Sequence, residues 1–239
     1  MSFQEKEEVK VLYKDKADIN QKTKYLENSK ELANLIKKAK EENNYLKYFI
    51  GETNISNQEY KPNHNECDMG DKSPEKVTEK RICRCMYYYN KDVDKCNKCL
   101  LRKKYNNVSN RFKVIDYEVP TKYVIDGCGG IDILLEDTNS KEVYAVEVKP
   151  QNSTETLVRM VAEIYTYLAD GTNDYKKAIA FFSGSQQEKA YFNEKYRKNE
   201  DFKYIFEDVT VFRIVEKNKK DDVVDYEFEM ISENEQKRQ

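Results

Sequence analysis

The sequence predicts an α/β (α+β) protein in which helices flank a mixed β-sheet, because extended and helical patterns alternate along residues 111–232. An amphipathic pattern near the N-terminus predicts a helical region, and the cysteine-rich segment after it predicts a metal-binding module. We therefore divide the chain into an N-terminal helical region (1–50), a Cys-rich metal-binding module (51–110), a core (111–232) and a disordered tail (233–239).

The N-terminal region is highly charged, yet its apolar residues recur at roughly helical spacing, as in Leu32, Ile36 and Ala39. Gly51 offers a stop signal. The pattern predicts one long helix from about Asn20 to Ile50.

The core begins with three runs rich in β-branched and aromatic residues, followed by a helical pattern. The helix is predicted to open at Asn152 or Ser153 and to close at Gly171. Strands are expected over RFKVIDYEV (111–119), GIDILLE (130–136), EVYAVEV (142–148), KAIAFFSG (177–184), DVTVFRIVE (208–216) and VDYEFEMI (224–231), with a second helix over QQEKAYFNEKYRK (186–198). The predicted order is β-β-β-α-β-α-β-β.

Composition limits the function classes. The net charge of -2 comes from 42 basic and 44 acidic residues, so any nucleic-acid signal must be local. The start, MSFQEKEEVK, lacks the apolar segment of a signal peptide, and no run of eighteen apolar residues occurs, so we expect no membrane partner and a cytoplasmic location. His64 is the only histidine, which leaves little material for Ser–His or Cys–His hydrolysis.

The hairpin over 130–148 carries the main functional signal. If Asn139 and Ser140 form its two-residue turn, Asp132 faces Glu147 directly. Two opposed carboxylates repel, and a divalent cation between them would offset that repulsion. Lys149 lies on the same face as Glu147 and could reach a metal-bound water or a developing charge. The alternative is a chance cluster on a charged surface.

Asp132 and Glu147-Val148-Lys149, followed by a helix, resemble the PD-(D/E)XK nuclease superfamily over roughly residues 112–184. The resemblance implies a restriction-endonuclease-like core and a Mg²⁺-dependent (or Mn²⁺-dependent) deoxyribonuclease. It also implies that Asp132, Glu147 and the Val148 carbonyl bind the metal while Lys149 assists the attacking water. Because the superfamily often supplies a further acidic residue before the aspartate, Glu118 is another catalytic candidate.

Two departures from the superfamily pattern stand in the sequence. Ile131 replaces the proline that often precedes the aspartate, and Glu163 stands where RecB-type members carry glutamine, four residues before Tyr167. Arg159, Glu163 and Tyr167 are spaced four residues apart on one helical stripe. This stripe either flanks the active site or forms an ordinary surface ion pair.

The Cys-rich module contains two short chelating pairs, Cys83-x-Cys85 and Cys96-x2-Cys99, which predict a tetrahedral Zn²⁺ site. His64 and Cys67 are additional donors, and the sequence does not decide which four bind. An iron–sulfur cluster is the alternative. RecB-type nucleases with such a cluster typically place one cysteine before the core and three after it, whereas all these pairs precede Asp132.

Basic residues concentrate between Arg81 and Lys104, where eight of them outnumber Asp92 and Asp94. The module is therefore expected to help bind DNA, and the alternatives are a purely structural role for the module or RNA as the nucleic acid. Together these features predict a metal-dependent DNA nuclease, and pairing into a homodimer would suit double-strand cleavage. The alternative function is that of a catalytically inactive nuclease-fold zinc protein acting as a nucleic-acid-binding or adaptor module.

Overall fold

The structure, a computed structural model, describes residues 22–50, 67, 78–89, 91, 96, 104–121, 130–169, 171 and 174–232. Its helices are α1 (Tyr25–Glu41, after a 3₁₀ turn over Lys22–Lys24), α2 (Tyr45–Phe49), α3 (Glu79–Tyr88), α4 (Leu157–Tyr167), α5 (Gln186–Tyr191), α6 (Glu194–Arg197) and α7 (Glu200–Tyr204). Its strands are β1 (Lys104–Asn107), β2 (Phe112–Val119), β3 (Ile131–Asp137), β4 (Val143–Lys149), β5 (Lys176–Phe182), β6 (Val209–Lys220) and β7 (Val223–Met230).

The seven strands form one mixed sheet in the order β1-β7-β6-β5-β4-β3-β2. Strands β2, β3 and β4 are antiparallel neighbours, whereas β4, β5 and β6 run parallel and are joined by helical crossovers. Strand β7 is antiparallel to β6, and β1 is parallel to β7. The predicted mixed sheet flanked by helices is thus confirmed, with β1 as an additional strand.

The sheet is strongly curved. Strands β1 and β2 lie at opposite edges, and a flat sheet of seven strands would separate its edges by about 29 Å. Only residues 108–111 join them, a connection that spans at most about 19 Å. The Asn107 side-chain amide donates a hydrogen bond to the Phe112 carbonyl at 2.7 Å. The two edges therefore meet at this end of the sheet.

Apolar side chains pack on both faces of the curved sheet, as the period-two alternation of the strands predicts. The concave face holds Ile133, Val146 and Phe212 together with Met86 of α3. The convex face holds Leu134 and Ala145 beneath α1, α2 and α4. None of the helices in the described ranges combines the length and hydrophobicity needed to cross a bilayer.

The predicted N-terminal helix over Asn20–Ile50 is wrong in its continuity: within the described residues it is two helices, α1 and α2. Asn43 adopts a positive φ of 47°, and the Asn44 side chain accepts a hydrogen bond from the Lys47 backbone N–H as the cap of α2. Asparagine tolerates the left-handed region and caps helices well, so this pair ends one helix and begins the next.

The helix predicted over 186–198 is also interrupted, because Asn193 and Asn199 cap the new helices α6 and α7. Helix α4 does not open at Asn152 or Ser153. Its cap is Thr156, whose hydroxyl accepts a hydrogen bond from the Arg159 N–H.

The predicted register of the β3–β4 hairpin is confirmed, since Ile133 pairs with Val146 and Leu135 pairs with Tyr144. The predicted two-residue turn is wrong. Residues 138–141 form a four-residue loop that is closed by a 2.8 Å hydrogen bond from the Lys141 N–H to the Asp137 carbonyl.

Part of the segment assigned to the Cys-rich module is built into the core. Helix α3 buries Ile82 and Met86 against the concave face, and β1 belongs to the sheet. The hydrophobic periodicity of so polar a segment is too weak to predict this packing.

Gly130 precedes β3 at a close backbone approach, where a Cβ atom would lie 2.5 Å from the Val119 carbonyl oxygen. We expect Gly130→Ala to destabilise the protein by about 1–3 kcal/mol, because strand β2 must move to relieve the overlap. Urea unfolding tests this. Gly171→Ala is the control for backbone strain alone, since its φ of 62° costs about 1–2 kcal/mol and no atom of the described residues lies within 4 Å of its Cβ position. A loss of less than about 1 kcal/mol in Gly130→Ala would contradict the expectation.

Candidate metal centre and active site

The hairpin places the predicted residues at one end of β3 and β4. Asp132 is the second residue of β3, and Glu147 and Lys149 lie at the end of β4. The Val148 backbone N–H donates a 2.7 Å hydrogen bond to Asp132 Oδ2, which fixes that carboxylate against the neighbouring strand. Because side chains alternate, these charged residues continue the face that Leu134 and Ala145 bury beneath α4.

A third carboxylate comes from α3. Glu79 is the first residue of that helix, and one carboxylate oxygen each of Glu79, Asp132 and Glu147 lie within 4.8 Å of one another. The side chain of Glu147 is 2% exposed and that of Glu79 is 28% exposed, so the cluster is closed at the sheet and open at α3. Three oxygen donors in this arrangement suit a hard divalent cation.

Lys149 lies at the centre of the site with its side chain 5% exposed. Its Nζ contacts Glu147 Oε1 at 2.5 Å, Glu79 Oε2 at 3.0 Å, Glu155 Oε2 at 3.0 Å and Glu163 Oε2 at 3.5 Å. The ammonium group is thus held by carboxylates from β4, from helices α3 and α4, and from the loop before α4.

Helix α4 flanks the site with Arg159 and Glu163, two residues of the helical stripe that was identified in the sequence. Every residue of α4 is buried, so Arg159 and Glu163 do not form an ordinary surface pair. Arg159 Nη2 lies 2.8 Å and Nε 3.0 Å from Glu163 Oε1, and Nε lies 3.4 Å from Glu155 Oε2. Arg159 therefore fixes two of the carboxylates that contact Lys149.

Burial and mutual repulsion dominate the electrostatics. Burial and the Glu79 charge raise the pKa of Asp132 well above its usual range, and burial and the Asp132 charge do the same to the pKa of Glu147. Burial alone would lower the pKa of Lys149, but the surrounding carboxylates, with Glu147 foremost, hold it well above its ordinary value. Burial opposes ionisation of Glu163, yet Lys149 and Arg159 keep its pKa low.

The site has an excess of negative charge. Among the described residues, five carboxylates (Glu79, Asp132, Glu147, Glu155 and Glu163) surround two cations (Lys149 and Arg159). Glu147 Oε2 is buried and accepts no hydrogen bond from the part of the chain that the structure describes. A proton, an ordered water or a metal ion would satisfy such an oxygen. The donor set therefore fits Mg²⁺ or Mn²⁺, both of which bind oxygen ligands.

Glu118 does not join this cluster. It has a positive φ of 47°, and its carboxylate lies 3.6 Å from Arg84 Nη2 and 3.9 Å from Lys80 Nζ on α3. The additional acidic residue beside Asp132 is Glu79. Sequence reasoning missed Glu79 because it lies in a segment read as a metal-held module, and only its position after Thr78 at a helix start gave a signal.

Cys83 and Cys85 are arranged differently from the chelating pair that the sequence predicts. Cys83 and Cys85 both lie on α3, where residues two apart point in nearly opposite directions. The Tyr105 N–H donates to Cys85 Sγ at 3.3 Å. Burial, with the Asp132 and Glu79 charges nearby, raises the pKa of the Cys83 thiol.

Cys67 and Cys96 are partly buried against the concave core. Cys99 and His64 lie outside the described residues. Within the described ranges no cysteine takes part in a group of three potential metal ligands. The Zn²⁺ site, and the iron–sulfur alternative, therefore stay predictions.

Comparison with known proteins found no relative: no protein-family model, no curated protein and no solved structure matches this chain.

Proposed function

We propose that this protein is a divalent-metal-dependent nuclease that hydrolyses phosphodiester bonds of DNA. The observation that carries the proposal is the convergence of Glu79, Asp132 and Glu147, two of which, Glu79 and Glu147, contact Lys149 Nζ. The site is surrounded by the antiparallel strands β2, β3 and β4, the buried helix α4 and the parallel strand β5. We expect this arrangement for a restriction-endonuclease-like core.

Each side chain has a distinct role in this mechanism. Glu79, Asp132, Glu147 and the Val148 carbonyl would hold the metal, which when bound supplies a Lewis acid and an activated water. Lys149 orients the attacking water and stabilises the charge that develops on the phosphate. Glu155 and Glu163 hold the Lys149 ammonium in place, and Arg159 neutralises part of their charge. The enzyme would thus be a Mg²⁺-dependent deoxyribonuclease.

Helix α3 gives the substrate a route to the site. Lys80, 77% exposed, directly follows Glu79, and Arg81 and Arg84 lie within the next turn. A phosphate backbone passing along α3 would meet these cations before it reaches Lys149. In this proposal the Cys-rich segment, which includes α3, carries structural Zn²⁺ and helps to hold the DNA.

Cleavage of linear, circular and single-stranded DNA with Mg²⁺ or Mn²⁺ tests the proposal. We expect wild-type protein to cleave at least one of these substrates, and Lys149→Ala or EDTA to abolish the cleavage. Lys203→Ala, at a 53% exposed lysine of α7, is the matched control and should cleave normally. Nicking or linearisation of the circle would distinguish cutting of one strand from cutting of both.

Inactivity of the zinc-loaded wild type on every DNA substrate, and then on RNA, would contradict the catalytic proposal. The same protein binding DNA without cleaving it would instead support the inactive nucleic-acid-binding module.

Glu79→Gln is expected to lower the cleavage rate by at least about tenfold, because it removes one carboxylate ligand while the fold keeps the same side-chain volume. Glu118→Gln is the matched control, since Glu118 pairs with Arg84 and Lys80 away from the cluster. The rates should be measured at saturating Mn²⁺ for both variants. A larger loss in Glu118→Gln than in Glu79→Gln would restore Glu118 as the metal ligand.

A further inference from the structure

A cavity of about 270 Å³ lies beside the metal centre, between the loop that follows Lys149 and helix α5. Its walls include Tyr25, Thr154, Glu155, Gln187, Ala190 and Tyr196. Glu155 connects the metal centre to the cavity, because its carboxylate contacts Lys149 Nζ at 3.0 Å and the residue lines the cavity. A chain bound at Lys149 would therefore place its neighbouring unit at this cavity.

The cavity is held in shape before any ligand binds. The Gln187 side-chain amide donates hydrogen bonds to the Glu155 carbonyl at 2.8 Å and to the Ser153 carbonyl at 3.1 Å. Gln186 also donates to the Ser153 carbonyl. These bonds tie the loop after β4 to α5, so a ligand would not have to order the walls itself.

One wall is aromatic and rigid. The rings of Tyr25 and Tyr196 stack with centroids 4.5 Å apart and an interplanar angle of 9°. The Tyr25 hydroxyl accepts a 2.9 Å hydrogen bond from the Leu157 N–H, which fixes the pair against α4. Tyr25 is 5% exposed, so the partly exposed Tyr196 supplies the ring surface, and such a surface can stack on a base of any identity.

Two charged side chains of opposite sign line the cavity, Glu155 and Lys189. Because these two charges offset each other, the cavity has no net charge that would attract a phosphate, and its aromatic wall favours a neutral ring as the group that enters.

We propose that this cavity is a subsite for one unpaired nucleobase of the substrate, next to the phosphate that is cleaved. The proposal rests on the proposed nuclease function and specifies how the substrate is held. A base in this position requires a single-stranded substrate or a nucleotide extruded from the duplex. The subsite would therefore make the rate of cleavage depend on whether a base is present at one position of the strand.

The test uses single-stranded oligonucleotides in which an abasic site replaces each nucleotide around the cleavage position in turn. With wild-type protein we expect one position at which the abasic site lowers kcat/KM about tenfold, the size of one lost stacking contact. Ala190→Phe, which fills the cavity, should lower kcat/KM on the intact strand to a similar extent and show no further loss on the abasic strand. Lys195→Phe adds the same ring at an exposed position outside the cavity and is the control.

A second readout does not need cleavage. With Ca²⁺ in place of Mg²⁺, 2-aminopurine is placed at each position of the oligonucleotide in turn. At one position its fluorescence should change on binding wild type, and Ala190→Phe should remove the change. If wild type cleaves DNA but neither readout depends on Ala190, the subsite is wrong and the nuclease proposal stands. If no substrate is cleaved but the fluorescence change occurs and is lost in Ala190→Phe, the subsite stands and the nuclease proposal fails.

Discussion

Replacing Lys149 with methionine is expected to abolish DNA cleavage and to destabilise the metal-free protein by about 3–5 kcal/mol at pH 8. The ammonium group contacts four carboxylates, and Glu147 and Glu163 are almost fully buried. Without the ammonium group Arg159 still pairs with Glu155 and Glu163, but Glu147 loses the cation that it contacts. Removal of one member of a buried charge network costs far more than the network adds.

The loss of stability should depend on pH. The pKa of Lys149 is raised in the fold, so its contribution is complete below its unfolded value of about 10.4 and is lost only as the pH rises through the folded value. At pH 8 the full effect is present. Towards pH 4 the carboxylates can take up protons, so the difference between Lys149→Met and wild type should shrink.

Urea unfolding without metal at pH 8 and pH 4 measures this difference. Lys203→Met, at an exposed lysine of α7, is the control and should lie within about 0.5 kcal/mol of wild type. A Lys149→Met protein as stable as wild type at pH 8 would show that Lys149 does not offset the carboxylates in the way that its contacts indicate.

Asp132→Asn is expected to have the opposite effect on stability, raising that of the metal-free protein by about 1–3 kcal/mol at pH 8 while removing cleavage. The amide has no charge for Glu79 and Glu147 to repel, and its oxygen can keep the hydrogen bond from the Val148 N–H. Active sites often lower stability in this way, because the repulsion is relieved only by the ligand.

The direction of this stability change follows from the raised pKa of Asp132. Burial and the Glu79 charge raise the pKa of Asp132 in the fold, so wild type loses stability as the pH rises from the unfolded value of about 3.9 through the higher folded value. The advantage of Asp132→Asn should therefore be small at pH 4 and grow towards pH 8. Saturating Mn²⁺ should raise the melting temperature of wild type and leave that of Asp132→Asn unchanged.

Asp137→Asn, in the same strand, is the matched control. Arg111 contacts Asp137 Oδ2 at 2.9 Å and lowers the pKa of that carboxyl, so its ionised form stabilises the fold above its unfolded pKa. This variant should be less stable than wild type at pH 8, and saturating Mn²⁺ should raise its melting temperature by as much as that of wild type. Stabilisation by both substitutions, or by neither, would count against a site in which Asp132 is repelled.

The sequence predicted the part of the site that lies within one hairpin. Period-two alternation and the short connector determine which residues of β3 and β4 face each other, so the pairing of Ile133 with Val146 followed even though the turn was longer than expected. Asp132, Glu147 and Lys149 could be placed together for the same reason.

Glu79 could not be placed in that way. It lies in a distant segment whose position depends on how α3 packs against the concave face, and no local period encodes such a long-range contact. Strand β1 was missed for a similar reason, because its four residues pair with β7 near the end of the chain. The curvature that brings β1 and β2 together is a property of the whole sheet.

The helix interruptions were present in the sequence as asparagines. Asn44, Asn193 and Asn199 each cap a new helix, but within long apolar periods the periodicity outweighed their capping signal. Glu163 shows the reverse case: its helical stripe was noted, and only the tertiary packing of α4 decided that the stripe faces Lys149.

The most direct test of the proposed metal centre is a titration of Mn²⁺ into protein prepared in the presence of Zn²⁺, with the free Mn²⁺ measured by electron paramagnetic resonance. We expect wild type and Glu118→Gln to bind Mn²⁺ at a site that Glu79→Gln, Asp132→Asn and Glu147→Gln each weaken or lose. Undiminished Mn²⁺ binding by all three variants, or no binding by wild type in the presence of DNA, would contradict a divalent-metal site at Glu79, Asp132 and Glu147.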